Sequence, residues 1–257
     1  MTRRRFYAPV AAFAADHVTL AADEARHLRD VLRLGPGAEV HVFDGEGREC
    51  QCIIEESRRD WVSLRLVAEV SPARPESPLD LTLAIALLKG EKFDLVVQKA
   101  TELGVARIRP LITQRADVRL RSDQDAKRVT RWQRIALEAA KQSGRARVPK
   151  VANPISFTSL IENGNPEIDR SPQRDTHLLM FSERDGETLA AALKPPLGVS
   201  SAVTAVVGSE GGWTDQEITQ GRAAGGRIVT LGGRVLRAET AAIAVVVLLQ
   251  HLLGDLK

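Results

Sequence analysis

The sequence predicts an α/β protein with a parallel sheet, preceded by a small β-barrel. Residues 1–70 contain short segments with the alternating apolar pattern of half-buried strands. From residue 79 onward the strands are apolar throughout and alternate with helices, as in a parallel sheet covered on both faces. Between these parts, residues 71–78 (SPARPESP) include three prolines, which is typical of a stiff linker. We therefore predict one domain at 1–70 and a second at 79–257.

The barrel is assigned from five strand segments and one helix. A hairpin turn is predicted at DGEG (44–47), which lies between two alternating segments. Leucine and valine recur at helical spacing over residues 23–34, just before Gly35, and indicate the helix. The five predicted strands are FYAP (6–9), HVTL (17–20), AEVHVFDG (38–45), ECQCIIEE (49–56) and WVSLRLVAEV (61–70).

The second domain is assigned from apolar strands with helices between them. An amphipathic helix is predicted over 91–104 and a longer one over 123–143. Residues 241–253 are apolar on nearly all sides, so this helix is expected to be buried on every face. Residues 169–175 are predicted to be a surface loop. The predicted strands cover residues 81–88, 107–113, 176–182, 203–209 and 227–232.

Composition and cysteine usage are those of an ordinary globular protein of a reducing compartment. The 257 residues are 44% apolar and 27% charged, and no apolar run reaches the ~18 residues of a membrane span. Three arginines precede an apolar stretch near the start, but Pro9 interrupts it before an export signal is complete. Cys50 and Cys52 are too close along one strand for good disulfide geometry. We expect a cytoplasmic location, and the scattered histidines predict no metal site.

Positive charge is concentrated in one part of the chain. Residues 107–150 hold 13 Lys and Arg against 4 Asp and Glu, although the whole chain carries only +3. A solvated helix face is the ordinary interpretation of such charge, but steps of three and four residues place these side chains on one face with a single acid, Glu138. This one-sided pattern indicates a polyanion-binding face. Its basic members are Lys127, Arg131, Arg134, Lys141 and Arg145.

Two glycine-rich turns follow predicted strands. In VVGSEGGWTDQE (206–217) an apolar strand leads into three glycines, and Thr214 with Glu217 predicts a capping box for the next helix. The spacing matches neither a P-loop nor the GxGxxG dinucleotide motif. A simple strand-to-helix turn would explain one such segment. In LGGRVLRAETAAI (231–243), however, the arrangement recurs before an apolar helix. Because ligands bind at the carboxyl ends of parallel strands, two such turns predict one shared pocket.

These two segments resemble the SPOUT class of methyltransferases and, more narrowly, the bacterial 16S ribosomal RNA (uracil-N3)-methyltransferase family. The resemblance spans nearly the full length of the chain. It continues through RHLRDVLRL (26–34), ALLKGEKFDLVVQKATELGV (86–105) and RWQRIALEAAKQSGR (131–145). One departure is Ser209, which stands where the family usually has proline.

The resemblance implies a fold, a cofactor and partners. The large domain is expected to be a SPOUT-type sheet tied in a trefoil knot, and the first domain a PUA-like β-barrel that holds RNA. The chain is expected to be a homodimer that uses S-adenosyl-L-methionine to methylate N3 of a uridine in 16S rRNA, within the assembled small subunit. No membrane or metal is implied.

Candidate site residues follow from the glycine turns and the resemblance. Arg237 is the first catalytic candidate, as a cation beside the developing uracil anion, and Glu210 and Glu239 are possible bases. The expected cofactor wall consists of Phe181, Gly208, Gly211, Gly212, Leu231, Gly232, Val235, Leu236 and Arg237. The expected RNA contacts are Arg3, Arg4, Arg5, Arg26, Arg29, Arg33, Lys92, Arg134, Gln142 and Arg145, although residues 1–78 carry a net charge of −2.

Two other functions stay open at this point. A SPOUT enzyme could methylate another atom, such as a ribose 2′-oxygen. A non-catalytic RNA-binding assembly factor could keep the barrel and the basic helix with no bound cofactor. A small-molecule methyltransferase explains the basic helix poorly.

Overall fold

A computed structural model describes residues 3–117, 122–163, 176–194 and 202–257. The chain divides into two compact units. The first consists of Met1–Glu76 and Leu137–Val148, and the second of Ser77–Ala136 and Pro149–Lys257. Residues 137–148, which the sequence assigned to the second domain, therefore lie in the first unit. The predicted surface loop at 169–175 is outside the described residues.

The first unit is built on a five-stranded sheet in the order β1-β3-β4-β5-β2. β1 and β3 are parallel and the other neighbours are antiparallel. All five predicted strands are present, and the predicted hairpin joins β3 to β4. The predicted helix at 23–34 is a short α-helix followed by a turn of π-helix at His27–Val31. The elements are β1 Arg5–Tyr7, β2 His17–Ala21, α1 Ala22–Arg26, β3 Glu39–Phe43, β4 Glu49–Ser57 and β5 Trp61–Val70.

The sheet curls around a single core. β1 and β2 are the two edges of the sheet, yet Phe6 of β1 and Leu20 of β2 belong to the same buried apolar cluster. The free thiols of Cys50 and Cys52 are buried in this cluster, and burial raises the pKa of Cys52 to about 12. Both cysteines therefore act as small apolar side chains here.

A buried carboxylate connects the first strand with the proline-rich segment. Glu49 at the start of β4 has no exposed surface, and it accepts hydrogen bonds from Arg5 (Nη2, 3.0 Å), Arg3 (Nη1, 3.1 Å) and the backbone N–H of Ala73 (3.1 Å). Burial raises the pKa of Glu49, but these donors and the charge of Arg5 outweigh burial and lower it below its ordinary value of 4.5. Glu49 is thus held ionised inside the first unit.

Glu49→Gln should destabilise the first unit by about 3–5 kcal/mol, because it leaves Arg5 buried without its counter-ion. Since the folded pKa of Glu49 is lowered, its contribution is present above pH 4.5 and is lost as the pH falls through the folded value. Urea unfolding at pH 7 and pH 4 measures both effects. Glu69→Gln is the matched control, because this exposed partner of Arg48 should change stability by under about 1 kcal/mol. Equal losses in the two variants would contradict the role of Glu49.

The second unit is a parallel α/β sheet in the order β12-β10-β11-β6-β7-β8, with β9 also paired to β7. Every pairing in this sheet is parallel. The five predicted strands are present, and two short strands are added. The strands are β6 Asp80–Ala86, β7 Arg107–Ile112, β8 Lys150–Val151, β9 Ile155–Ser156, β10 Thr176–Phe181, β11 Ala202–Val207 and β12 Arg227–Val229.

Helices alternate with these strands as the sequence predicts. All residues of β11 are buried, as expected of a strand with both faces covered. α6 begins with the predicted capping box: the Thr214 hydroxyl accepts from the Glu217 N–H, and the Glu217 carboxylate accepts from the Thr214 N–H. The helices are α2 Lys92–Glu102, α3 Ser122–Ser143, α4 Phe157–Asn163, α5 Leu189–Ala192, α6 Asp215–Ala223 and α7 Ala238–Leu253.

The last helix, predicted to be buried on every face, is buried on one side only within the single chain. α7 packs on α2, β6 and β11 with one side, where Val246 and Leu249 are buried. Its other side exposes Val247 (38%), Leu248 (37%) and Leu252 (51%). Over the four described ranges, no helix has the length and apolarity needed to cross a membrane.

Candidate functional site

A cleft of about 310 Å³ opens at the carboxyl ends of β10, β11 and β12. Both glycine turns line it, the first with residues 207–213 and the second with residues 231–236, as do Phe181 at the end of β10 and Ala238 and Ala241 of α7. The two turns are separated in the sequence by α6 and β12 but share one cleft. This is the usual place for a ligand in an open α/β sheet.

The first wall of the cleft (residues 208–212) is backbone supported by a tryptophan. Trp213 is buried, and its indole Nε1 donates to the carbonyl of Phe181 at 2.8 Å. A Cβ at position 208 would lie 3.0 Å from the indole ring, closer than an ordinary contact, so glycine favours the close packing of the turn on Trp213. Gly212 has φ +66°, a conformation that favours glycine. The wall therefore presents peptide groups to the cleft with few side chains in front of them.

The second wall (residues 231–236) is open and apolar except for Arg234. Gly232 has φ +116°, and a Cβ there would meet no described atom within 4 Å. Val235 is 83% exposed and Leu236 38% exposed, which is unusual for apolar side chains beside a cleft. Apolar surface of this kind is what a partly apolar ligand buries.

Three charged side chains meet beside the first wall. The Nζ of Lys92, the first residue of α2, lies 2.8 Å from Oε1 of Glu210 and 3.9 Å from Oε2 of Glu239. The hydrogen bond to Glu210 raises the pKa of Lys92, and the nearby charge of Arg237 offsets only part of the rise. Burial raises the pKa of Glu210, but the hydrogen bond and charge of Lys92, a backbone hydrogen bond and the charge of Lys89 together outweigh burial and lower the pKa overall. Lys92 and Glu210 are thus held as an ion pair.

The remaining catalytic candidates lie at the start of α7. Arg237 is the N-cap residue, exposed to solvent, and its carbonyl accepts the N–H of Ala241 at 2.8 Å. Glu239 follows in the first turn. Its Oε2 is buried and has no hydrogen-bond partner among the described residues. Neither Arg237 nor Glu239 lines the cleft, but the neighbouring Leu236 and Ala238 do.

Two predicted RNA contacts are buried and are corrected. The side chain of Arg5 is 7% exposed and binds Glu49, and that of Arg145 is 6% exposed and binds Glu76 at 2.7 Å. Because both guanidinium groups lie inside the first unit on carboxylates, we leave them out of the RNA-binding set. The sequence places no acid beside either residue, so their partners could not be identified from it.

The other predicted RNA contacts reach solvent to different degrees. Arg3 shares Glu49 with Arg5 and binds the carbonyl of Ser71, while Arg29 binds Asp30 and the carbonyls of Arg58 and Arg59. Lys92 is engaged with Glu210 in the second unit. Besides Arg3, the exposed members of the set are Arg4, Arg26, Arg33, Arg134 and Gln142.

The structure adds Ser182 and Glu183 to the cleft, which the sequence did not indicate. Arg234 and Trp213 of the two glycine-rich segments also line it. The tryptophan lies within the motif quoted from the sequence, but its contact with Gly208 depends on how the turn folds back. The signal available in the sequence was a large aromatic residue five positions after the turn glycine Gly208. Among the described residues, no group of three or more His, Cys, Asp or Glu side chains could hold a metal ion.

Two families match the chain. Residues 75–250 match the RNA methyltransferase domain and residues 20–67 the RNA methyltransferase PUA domain. The ribosomal RNA small subunit methyltransferase E of Synechocystis sp. is 36% identical over 87% of this chain and 69% of its own length. That of Bacillus subtilis is 32% identical over 87% and 85%. The chain therefore belongs to the RNA methyltransferase family, within the group of ribosomal RNA small subunit methyltransferases E.

Solved structures agree over the whole chain. Ribosomal RNA small subunit methyltransferase E from Neisseria gonorrhoeae, bound to S-adenosyl methionine, matches with a TM-score of 0.84 and 34% identity over 100% of both chains. A Legionella pneumophila methyltransferase, Lpg2936, in complex with the same cofactor matches with a TM-score of 0.83 and 31% identity over 99% and 100%. The predicted α/β fold with a PUA-like first domain is confirmed, whereas the trefoil knot stays a prediction.

Gly232→Ala should strain the second wall, because φ +116° is unfavourable for any residue with a Cβ. We expect a loss of about 1–3 kcal/mol in the free energy of unfolding, measured in urea. Gly233→Ala is the matched control, since its φ is not in the positive region and its Cβ would meet no described atom within 4 Å. Equal stability of the two variants would show that the wall does not depend on the conformation of Gly232.

Proposed function

We propose that this chain is an S-adenosylmethionine-dependent methyltransferase that methylates N3 of a uridine in 16S rRNA of the small ribosomal subunit. The observation that carries the proposal is the single cleft formed by both glycine turns at the carboxyl ends of the strands. Membership of the RNA methyltransferase family supports it, as do the two relatives that bind the cofactor in the same fold. The assignment to N3, rather than a ribose oxygen, rests on the resemblance of the sequence motifs.

The cleft suits this cofactor chemically. Adenine and the methionine chain are largely apolar with a few polar edges, and the cleft combines apolar side chains with exposed peptide groups. Leu231, Val235 and Leu236 would contact the apolar surfaces, and the backbone of 208–212 would hydrogen-bond the polar edges. When bound, S-adenosylmethionine supplies the methyl group on an electrophilic sulfonium.

The charged residues beside the cleft would prepare the uracil. N3 carries a proton and is a weak nucleophile until that proton leaves, so a base and a stabilising cation are both useful. Arg237 is the cation we assign, because it is exposed and lies next to the cleft wall. Glu239 is a better candidate base than Glu210: Lys92 lies 3.9 Å from its Oε2, which accepts no hydrogen bond among the described residues, whereas Lys92 hydrogen-bonds Glu210 at 2.8 Å and lowers its pKa.

The substrate must present an unpaired uridine. N3 lies on the Watson–Crick edge, so the base has to be single-stranded or flipped out before it can react. Exposed arginines of the first unit (Arg4, Arg26 and Arg33) and Arg134 of the second would bind the phosphate backbone. With 4% aromatic residues, charge and shape are expected to contribute more than base stacking.

We also propose a homodimer and a cytoplasmic location. The exposed apolar side of α7, with Val247, Leu248 and Leu252, would be buried by a second copy of the chain. The buried free thiols and the ribosomal substrate favour the cytoplasm.

Transfer of a labelled methyl group from S-adenosylmethionine to small subunits and to naked 16S rRNA tests the function. Mass mapping of the modified nucleotide distinguishes the base from the ribose. Methylation at N3 of one uridine supports the proposal, and a 2′-O-methyl product would replace it with the ribose alternative. If calorimetry shows no binding of S-adenosylmethionine, a non-catalytic assembly factor would be the better description.

Arg237→Ala should lower turnover about 10²-fold or more, because a preorganised cation at the developing charge is lost. Arg237→Lys, which keeps a positive charge, should recover part of the rate. The labelled-methyl assay measures both variants, and thermal unfolding is run beside it. A loss of thermal stability in Arg237→Ala that accounts for the lost activity would show a structural role instead.

Arg134→Ala should reduce the salt dependence of RNA binding. The plot of log K against log salt concentration has a negative slope, and each lost phosphate contact makes it shallower by about 0.7–0.9. Filter binding of a 16S rRNA fragment between low and moderate salt measures the slope. Arg128→Ala, which removes an arginine already paired with Asp125 on the same helix, is the control and should leave it unchanged. Identical slopes for wild type and Arg134→Ala would show that Arg134 does not contact an RNA phosphate.

A further inference from the structure

The loop after β7, residues 113–117, contacts the first wall of the cleft through reciprocal hydrogen bonds. The hydroxyl of Ser209 donates to the carbonyl of Arg115 at 3.1 Å, and Nη1 of Arg115 donates to the carbonyl of Gly211 at 3.1 Å. Ser209 is 7% exposed, so its hydroxyl has little access to water. Each segment therefore holds a backbone carbonyl of the other.

Close packing against Arg115 leaves no room for a side chain at position 211. A Cβ at position 211 would lie 2.9 Å from the Cβ of Arg115 and 3.0 Å from its carbonyl oxygen. Gly211 is not among the residues with positive φ, so its conformation alone does not require glycine. The close approach of Arg115 does. The positions of the loop and of the first wall are thus fixed by one another.

Two further contacts hold the same loop. The N–H of Gln114 donates to Oε1 of Glu217 at 2.9 Å, and Glu217 is the buried acid of the α6 capping box. Asp117 pairs with Lys89, which follows β6, at 2.6 Å. The loop is therefore held at Gln114 and at Asp117. Arg115 lies between these two residues, so its position against the wall is supported from both sides.

We propose that Arg115 and Ser209 are positioning residues for the methyl donor: together they fix the backbone of 209–211 in the shape that binds it. The inference rests on the proposed function, because the ligand is S-adenosylmethionine. The serine is the residue that departs from the proline usual in the resembling family, and proline could not donate this hydrogen bond. In this chain the hydroxyl adds a contact that orders the wall before the donor binds.

Calorimetry with S-adenosylmethionine, on full-length protein without RNA, tests the proposal with three variants. Arg115→Met should raise the Kd about tenfold, since a charged donor to a carbonyl is lost. Ser209→Ala should raise it about threefold, since a neutral hydrogen bond is lost. Arg128→Met, an arginine of the same unit that pairs with Asp125, is the control and should keep the wild-type Kd.

Kinetics separate a positioning role from a merely structural one. In both variants the KM for S-adenosylmethionine should rise while kcat at saturating donor and rRNA stays within about twofold, because neither side chain touches the reacting atoms. Arg115→Lys, which keeps a donor, should recover part of the affinity. If Arg115→Met does not fold, Ser209→Ala, which removes a single oxygen atom, decides the question.

The outcomes are distinct. Unchanged donor affinity in both variants, with a wild type that binds, would overturn this inference and leave the proposed function intact. A lower melting temperature with unchanged Kd would show that the contact stabilises the fold only. Absence of binding by the wild type would overturn the proposed function and this inference with it.

Discussion

The site depends on the register of three parallel strands. Phe181 at the end of β10 pairs with Val207 at the end of β11 on one side and with Val229 at the end of β12 on the other. Because the three strands are parallel and end at the same level, the turns that follow them must occupy the same edge of the sheet. The glycine walls near 210 and 232 meet for this reason, and a shift of register in either outer strand would separate them.

The sequence was sufficient for the strands and for the existence of the shared cleft, but not for the charges around it. Apolar strands and glycine turns are local patterns, so they can be identified without knowing the fold. The ion pair of Lys92 with Glu210 joins α2 to a turn 118 residues later. Such a pair follows from tertiary packing, and it changes the roles of both residues: Lys92 is less available to RNA, and Glu210 is a weaker base than its position suggests.

The charge of the basic helix α3 also could not be judged from the sequence alone. Spacing along α3 identifies which side chains share a face, and within the helix there are too few acids to neutralise them. In the structure the acids come from elsewhere: Lys141 binds Glu24 at 2.5 Å and Arg145 binds Glu76 within the first unit, while Arg131 binds Asp94 within the second. The free positive charge of this face is therefore smaller than the sequence indicates, and exposed Arg134 becomes more important to any contact with phosphate.

Each glycine of the first wall is favoured for a different reason. At position 208 a side chain would meet the indole of Trp213, at 211 it would meet Arg115, and at 212 it would be strained by φ +66°. The motif shows three glycines but not these three causes, two of which involve contacts made by the folded turn. The wall is thus supported by Trp213, which also lines the cleft, and by Arg115, which does not. A side chain outside the cleft, Arg115, can therefore influence what binds there through the backbone that it supports.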